Sequence, residues 1–295
     1  MKPQMEAPPF VNHLGALIDA RIVEVIAALQ HRSLRSAVEY ALEGGKRVRP
    51  KMVMLACGAV GGNELDALDA GTAVELLHTA SLVHDDIMDR SELRRGRTTL
   101  HVLYDVSTAI LVGDTLTALA FRTIQNVHSP RKDAALQLFS SGFVDLCEGQ
   151  GEDLSLTGAG GTDLAAHRAM VEKKTARLLE IAAGIGATIG SPEQHPLRCL
   201  RCFGMHMGMA FQALDDLLDT VGEEDAVGKP TGSDARNGKQ TYLSIACPAT
   251  DSINLVKSLA AQHTLAACDA LETLGHSQAR SCLIAMAQSL LSRDR

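Results

Sequence analysis

The sequence predicts an all-α protein, and three observations support this fold class. Apolar residues recur at three- and four-residue steps, as in the stretch from Leu65 to Val83, and this is the period of a helix. Runs of alternating β-branched or aromatic residues, which are typical of strands, are few. Aromatic residues make up only 3% of the chain and Trp is absent. The core must therefore be built from Leu, Ala, Val, Ile and Met.

Local signals justify the elements in chain order. Residues 1–10 are rich in proline and are predicted to be loose. Pro50 opens a helix at a position where a missing N–H costs nothing, and Gly222 ends a later one. Helices are predicted at 14–29, 51–60, 65–89, 115–124, a stretch ending at 148–154, 172–181, 203–218 and 252–295. The Gly-rich loop 155–162 is no domain boundary, because similar helices resume at Leu164, and we expect residues 1–295 to form a single domain.

Composition and charge exclude several classes of function. The formal net charge of −7 argues against a nucleic-acid partner. No stretch has the apolar length of a membrane helix, and the N-terminus shows no signal pattern. The 7 Cys are scattered and odd in number, and the pair Cys199 and Cys202 is interpreted as buried thiols in a helix rather than a redox or zinc site. We therefore expect a cytoplasmic protein without a membrane span.

The most informative stretch contains Asp85, Asp86 and Asp89 at the end of an apolar helix. Asp85 and Asp89 lie one helical turn apart on the same face, where like charges repel each other and the negative helix end adds to the cost. Such a group is accounted for if a cation binds among the carboxylates. Oxygen-only ligands of this kind suit Mg²⁺, which often shares its shell with substrate phosphates.

The same Asp-Asp-x-x-Asp spacing returns at Asp215, Asp216 and Asp219, again at the end of an apolar helix. A single cluster of this kind is more often a solvated helix end. Two copies, each closing an apolar helix, predict two facing carboxylate clusters. These could hold several divalent ions around one diphosphate.

Clustered cations accompany the aspartates. Gly44-Gly45 precedes Lys46, Arg47 and Arg49 and could cradle a diphosphate, although a solvated basic turn explains the pattern equally well. Six further residues are candidates for substrate binding, and each has a simpler interpretation. Arg94 and Arg95 could form ordinary ion pairs, and His78 could be a hydrogen-bonded core residue. Exposed helix or loop lysines would explain Lys174, Lys229 and Lys239.

Taken together in this order, the motifs resemble the trans-isoprenyl diphosphate synthases. The resemblance runs from Gly44 to Tyr242 and rests on Gly-Gly-Lys-Arg-Val-Arg-Pro, both Asp-Asp-x-x-Asp motifs, Arg-Arg-Gly, Gly-Asp, Lys-Thr, Phe-Gln and Gly-Lys. It implies a single-domain bundle of mostly antiparallel helices around a deep central cavity, usually as a homodimer. Thr98 stands where this family usually has proline, which alters the stiffness of the loop rather than its charge.

The resemblance also implies roles. About three Mg²⁺ ions, or Mn²⁺, would be held by Asp85, Asp86, Asp89, Asp215, Asp216 and Asp219. The allylic diphosphate would be contacted by Arg94, Lys174, Lys229 and Lys239, and isopentenyl diphosphate by Lys46, Arg49, His78 and Arg95. Thr175 and Gln212 would direct oxygen dipoles at the allylic carbocation.

Small residues one turn before Asp85 favour a long product. Ala80 and Ser81 stand where the family's farnesyl synthases commonly have an aromatic floor, so geranylgeranyl diphosphate is favoured, with farnesyl or longer products as alternatives. Leu76, Leu77 or Phe121 would then form the floor. Two other readings are a non-catalytic subunit, which should have lost these motifs, and a terpene cyclase, which would not need the 44–49 cation group.

Overall fold

The computed structural model describes residues 8–157, 163–221, 239–245 and 249–291. Helices account for most of these residues, which confirms the all-α prediction. The α-helices are α1 (Pro9–Ala27), α2 (Arg32–Leu42), α3 (Val48–Ala59), α4 (Leu68–Met88), α5 (Leu100–Leu103), α6 (Val106–Ile124), α7 (Lys132–Leu156), α8 (Leu164–Val171), α9 (Arg177–Gly190), α10 (Gln194–Val221), α11 (Tyr242–Ile245), α12 (Ala249–Ala270) and α13 (Gln278–Leu291). A 3₁₀ turn (Glu64–Ala67) precedes α4, and a π-helical turn (Glu172–Ala176) joins α8 to α9.

Several predicted helix boundaries were wrong, and local capping explains one clear case. We expected a helix to begin at Thr115, but α6 begins at Val106. Asp105 is its N-cap, and its carboxylate accepts a hydrogen bond from the backbone N–H of Thr108 at 2.7 Å. The helix α10 likewise begins at Gln194 rather than at Phe203. The first turns of α10 carry polar residues that weaken its apolar period, whereas the start of α6 is apolar at Val106, Ile110 and Val112 and was missed despite that pattern.

The helices pack around one continuous apolar core that draws residues from α1 through α13. Close neighbours are α4 with α6, α3 with α9, α9 with α10, and α10 with α12. On α10, a Cβ at Gly204 would lie 2.4 Å from the carbonyl oxygen of Leu179, and a Cβ at Gly208 would lie 2.3 Å from Cα of Ala176. Residue numbers therefore increase along α10 where those of its contacts decrease, so α10 runs antiparallel to α9.

A two-stranded antiparallel hairpin, β1 (Leu93–Arg94) and β2 (Arg97–Thr98), follows α4 and was not predicted. Arg95 and Gly96 turn the chain with positive φ angles of 55° and 73°. The hydroxyl of Tyr40 on α2 donates to the carbonyl of Thr98 at 2.7 Å and so ties the hairpin to the bundle. This anchoring holds two consecutive arginines near the end of α4.

The π-helical turn lies against α7. A Cβ at Gly149 on α7 would lie 2.4 Å from the backbone nitrogen of Lys174, so only glycine permits this approach. Among the described residues, none of the helices combines the length and apolar character needed to cross a membrane.

Candidate active site

The first aspartate motif closes α4, and its central member is paired with the hairpin. Asp86 is buried, and its Oδ1 accepts hydrogen bonds from Nε and Nη2 of Arg94 at 2.9 and 2.7 Å. The backbone N–H of Ser91 also donates to the carbonyl of Asp86 at 2.9 Å. Burial raises the pKa of Asp86, whereas Arg94 opposes that rise. The hairpin therefore supplies the countercharge for this carboxylate.

Asp85, its neighbour, has no such partner. Burial raises the pKa of the Asp85 carboxyl; Lys174 works against that rise and Asp89 adds to it. Within the described part of the chain, no side-chain hydrogen bond or ion pair satisfies this carboxylate. A half-buried carboxylate whose pKa is raised in this way is stabilised by an added cation.

The third aspartate of the motif belongs to a chain of alternating charges. Asp89 Oδ2 accepts from Nζ of Lys239 at 2.5 Å, and the same Nζ lies 3.8 Å from Oδ2 of Asp153. Asp153 is buried at the end of α7 and also accepts from Nζ of Lys174 at 2.5 Å. Two of the predicted lysines thus meet at one carboxylate. Sequence reasoning missed Asp153, and the only available signal was its position one turn after Gly149.

The second motif, on α10, is held mainly from inside the bundle. Asp216 is buried, with Oδ1 accepting from Nε2 of Gln212 at 2.7 Å and Oδ2 from the backbone N–H of Tyr242 at 2.8 Å. The hydroxyl of Thr175 donates to Oε1 of Gln212 at 2.8 Å. Because the Thr175 hydroxyl hydrogen is used in this bond, the lone pairs of the Thr175 oxygen point away from Gln212. Asp219 is buried as well.

The structure brings the two motifs to one region. Burial alone would lower the pKa of the Arg94 guanidinium, but Asp86, Asp85 and Asp215 together raise it above its ordinary value. Asp215 belongs to the second motif and Asp85 and Asp86 to the first, so one guanidinium interacts with carboxylates of both. That the two motifs face each other across a cavity stays a prediction.

The donor set fits Mg²⁺ by its chemistry. All candidate ligands are carboxylate oxygens, which hard divalent cations prefer, and half-buried Asp85 has no side-chain ion pair within the described residues. Within the same residues, no three side chains converge on a single ion position. Arg94 and Lys239 instead neutralise Asp86 and Asp89 directly. A diphosphate that attracted these two cations would leave both carboxylates available to metal ions.

A separate group of cations lies behind the first motif. Nη1 of Arg49 donates to Nε2 of His78 at 3.0 Å, which requires a neutral imidazole protonated at Nδ1. Burial, together with Arg49 and Arg95, lowers the pKa of His78 well below its ordinary value. The pKa of Arg49 is lowered to about 10, mainly by burial; Glu75 opposes this shift and Arg95 adds to it. Nε of Arg49 is buried without a hydrogen-bond partner among the described residues.

The Gly44-Gly45 turn places this cation group. The φ angles of Gly44, Gly45 and Arg47 are 80°, 91° and 51°. A Cβ at Gly45 would lie 2.8 Å from Nη1 of Arg95, so glycine leaves room for that guanidinium. Arg47 turns away and pairs with buried Glu75 at 2.8 Å, and Lys46 lies exposed at the turn. Sequence reasoning missed Glu75, because a single acid in an apolar helix gave no indication of its partner.

The residues expected to set product length lie along α4. Ala80 is buried and Ser81 is half-buried, with the Ser81 hydroxyl donating to the carbonyl of His78 at 2.8 Å. Leu76 and Leu77 are buried one turn further from the aspartates. Phe121 on α6 contacts two further rings, with centroid separations of 5.2 Å to Phe139 and 6.2 Å to Phe143. Lys229, the remaining predicted substrate ligand, lies outside the described residues.

A helical bundle that gathers two carboxylate motifs and several cations at the helix ends defines an enzyme built to handle diphosphates. The polyprenyl synthetase family model matches residues 31–271. The geranylgeranyl diphosphate synthase of Methanosarcina mazei is 37% identical over 238 residues, covering 80% of this chain and 74% of that protein. The geranylfarnesyl diphosphate synthase of Aeropyrum pernix is 36% identical over 236 residues, covering 78% of this chain and 74% of that protein.

A solved structure agrees with the sequence relatives. The geranylgeranyl pyrophosphate synthetase of Pyrococcus horikoshii Ot3 superposes with a TM-score of 0.90 at 34% identity, covering 96% of this chain and 97% of that one. The chain belongs to the polyprenyl synthetase family, the trans-isoprenyl diphosphate synthases, and is a prenyltransferase.

Proposed function

We propose that this chain condenses isopentenyl diphosphate with an allylic diphosphate, head to tail (1'–4), and that geranylgeranyl diphosphate is its main product. The observation that carries the proposal is the position of Arg94, whose guanidinium pairs with Asp86 of the first aspartate motif at 2.7 Å while Asp215 of the second motif helps to raise its pKa. Two acidic groups around one cationic group match a diphosphate bound through both metal ions and basic side chains.

The six motif aspartates would hold about three Mg²⁺ ions, which Mn²⁺ could replace and which would stabilise the departing diphosphate. Arg94, Lys174 and Lys239, with Lys229, would contact the same diphosphate through charge-assisted hydrogen bonds. The ion pairs of Lys174 and Lys239 with Asp153 support this role, because they hold both ammonium groups beside the first motif.

The second substrate would bind at Arg49, His78, Arg95 and Lys46. Support comes from the unsatisfied Nε of Arg49 and from repulsion between neighbouring cations. Besides burial, Arg95 lowers the pKa of Arg49, and Arg94 and Arg47 lower the pKa of Arg95. A diphosphate would relieve this repulsion. Because the group lies apart from the aspartates, it would position isopentenyl diphosphate without competing for the metal ions.

The reaction would proceed by loss of the allylic diphosphate and attack of the isopentenyl double bond on the resulting cation. Loss of a proton to the released diphosphate would complete the product. Thr175 and Gln212 support this step, because the Thr175 hydroxyl donates to Gln212 and leaves its oxygen lone pairs available. Such oxygen dipoles would stabilise the developing positive charge. Apolar helix faces would keep water from the cation.

Product length follows from the distance between the aspartates and the nearest bulky residues. Leu76 precedes Asp85 by nine residues, or about 13 Å at 1.5 Å per residue, and Phe143 precedes Asp153 by ten, or about 15 Å. One helical turn of about 5.4 Å is close to one isoprene unit, so roughly three units fit above these residues. A farnesyl primer could then be extended once. Farnesyl and longer products are the alternatives, and the relatives' names include both C20 and geranylfarnesyl products.

We also propose a single-domain homodimer in the cytoplasm. One continuous core from α1 to α13 supports the single domain. An exposed apolar face on α5 and α6 supports self-association; its side chains are Val102, Leu103, Val106, Ile110 and Leu111. Free thiols throughout the described chain fit a reducing compartment. Light scattering on wild type and on Leu111→Asp tests the dimer, which the aspartate should convert to a monomer.

One incubation tests the activity. Radiolabelled isopentenyl diphosphate is supplied with dimethylallyl, geranyl or farnesyl diphosphate and Mg²⁺, and the products are separated by chromatography. The expected result is a C20 product from farnesyl diphosphate, with none after chelation of the metal. No elongation from any primer would leave the non-catalytic subunit as the better reading, and cyclic hydrocarbons would favour a terpene cyclase.

A further inference from the structure

A buried imidazole adjoins the second aspartate motif without satisfying either of its nitrogens. His167 on α8 is 1% exposed, and neither Nδ1 nor Nε2 has a hydrogen-bond partner within the described residues. Buried polar groups are nearly always hydrogen-bonded, so an orphan of this kind calls for an explanation. The imidazole makes an edge-to-face contact with the ring of Tyr242, whose centroid lies 4.6 Å away.

A carboxylate of the candidate metal site lies close to this imidazole. Nε2 of His167 lies 3.8 Å from Oδ2 of Asp216. The same carboxylate already accepts from Gln212 on one oxygen and from the backbone N–H of Tyr242 on the other. A shift of about 1 Å would bring Nε2 within the usual hydrogen-bond distance. Asp216 would then have donors from three elements, α8, α10 and the start of α11.

We propose that His167 is a positioning residue that donates to Asp216 and so fixes the second aspartate motif for cation binding. The inference rests on the proposed metal assignment. The orientation of Asp216 also affects its neighbours through hydrogen bonds. Asp216 accepts from the amide nitrogen of Gln212 and thereby directs Oε1 of Gln212 toward Thr175. Outer partners that orient acidic ligands typically change metal affinity 10- to 100-fold when removed.

The test compares two substitutions of different chemistry. His167→Phe keeps a ring against Tyr242 but removes both nitrogens, whereas His167→Asn keeps a hydrogen-bond donor. Mn²⁺ binding is measured by electron paramagnetic resonance in the presence of inorganic diphosphate. We expect His167→Phe to weaken Mn²⁺ binding by about 10- to 100-fold and His167→Asn to recover much of the loss. His206→Phe on α10 is the matched control, because that imidazole pairs with His263 instead and should leave Mn²⁺ binding unchanged.

A double-mutant cycle shows whether His167 acts through Asp216. In an Asp216→Asn background, His167→Phe should have little further effect on Mn²⁺ affinity, because the shared interaction is already altered. Wild-type affinity in His167→Phe, additive losses in the cycle, or no recovery in His167→Asn would each overturn the inference. If His167→Phe does not fold, His167→Leu, which also lacks both nitrogens, replaces it in the Mn²⁺ measurement and in the cycle with Asp216→Asn. Unchanged Mn²⁺ binding in Asp215→Ala would instead contradict the metal assignment itself.

Discussion

Nζ of Lys174 and Oδ2 of Asp153 lie 2.5 Å apart, on the π-helical turn and at the end of α7. Asp153 is buried, and Lys239 approaches the same oxygen at 3.8 Å. The Asp153 carboxylate thus connects Lys174 and Lys239, two of the predicted diphosphate ligands. A residue with no predicted role thereby fixes where both ammonium groups lie.

Replacing Asp153 by Asn should impair the enzyme without unfolding it. The amide keeps the shape but loses the charge that holds both lysines, so we expect turnover to fall by about one to two decades, in line with the loss of a charged hydrogen bond. Steady-state kinetics and circular dichroism give the two readouts. Glu152→Gln is the control, because its ion pair with Lys173 is exposed and should contribute little. Equal losses in both variants would contradict the special position of Asp153.

Asp85→Ala and Asp215→Ala should each reduce turnover by orders of magnitude while helical circular dichroism is retained. The physical reason is that each removes a carboxylate from one of the two motifs that face Arg94. Asp133→Ala serves as a control, because that aspartate is exposed near the opposite end of α7. Near wild-type turnover of Asp85→Ala at saturating Mg²⁺ would show that the metal assignment is wrong.

Arg49→Ala should raise the Michaelis constant for isopentenyl diphosphate selectively. Loss of one charged contact costs about 1.5–3 kcal/mol, or roughly one to two decades in affinity. Initial rates measured with each substrate varied in turn separate the two constants. Arg35→Ala, which removes an exposed ion pair with Glu39, should change neither. An equal rise for both substrates would argue against a separate site at Arg49.

Ala80→Phe should shorten the main product by about one isoprene unit. An aromatic ring at this buried position would block the tail one turn below Asp85. Phe121→Ala should act in the opposite direction if its ring cluster forms the floor. Chromatography of the extracted products measures both. A wild-type enzyme that makes only farnesyl diphosphate, or an unchanged product from Ala80→Phe, would contradict the floor assignment while leaving the fold intact.

Acid should destabilise the protein partly through His263. The pKa of this imidazole is lowered to about 4, mainly by burial and also by His206 and Arg168, while Glu172 opposes the shift. The unfolded chain takes up the proton near pH 6.5, whereas the folded chain does so near pH 4. Stability is therefore fully present above pH 6.5 and is lost as the pH falls toward 4. Thermal melts of wild type and His263→Gln should show the steeper decline in wild type, and parallel curves would contradict this.

The sequence was sufficient to predict the all-α class and most of the residues that gather at the candidate site. Both aspartate motifs could be recognised because closely spaced like charges at a helix end are costly unless compensated. Asp153 and Glu75 could not be recognised, because each is a single acid whose partner comes from another helix. The same holds for Arg47, one of three clustered cations, which the fold pairs with Glu75 instead of directing to a substrate.

Helix boundaries were predicted less well than helix positions. The polar residues in the first turns of α10 weaken its apolar period, and the start of α6 is set by Asp105, whose capping depends on one local hydrogen bond. The hairpin after α4 was read only as a basic segment, because its strands are two residues each and Tyr40 holds it from a distant helix. The π-helical turn has no sequence signal, because it follows from the close approach of α7 at Gly149.

That turn, Glu172–Ala176, makes the catalytic geometry depend on chain length as well as on side chains. Each residue rotates a helix by about 100°, so deleting one residue here would turn Lys174 and Thr175 away from their partners relative to α9. Point substitutions cannot rotate these residues relative to α9 in this way. Over evolution, this segment should therefore resist single-residue insertions and deletions, a constraint that adds to the one imposed by the proposed roles of Lys174 and Thr175.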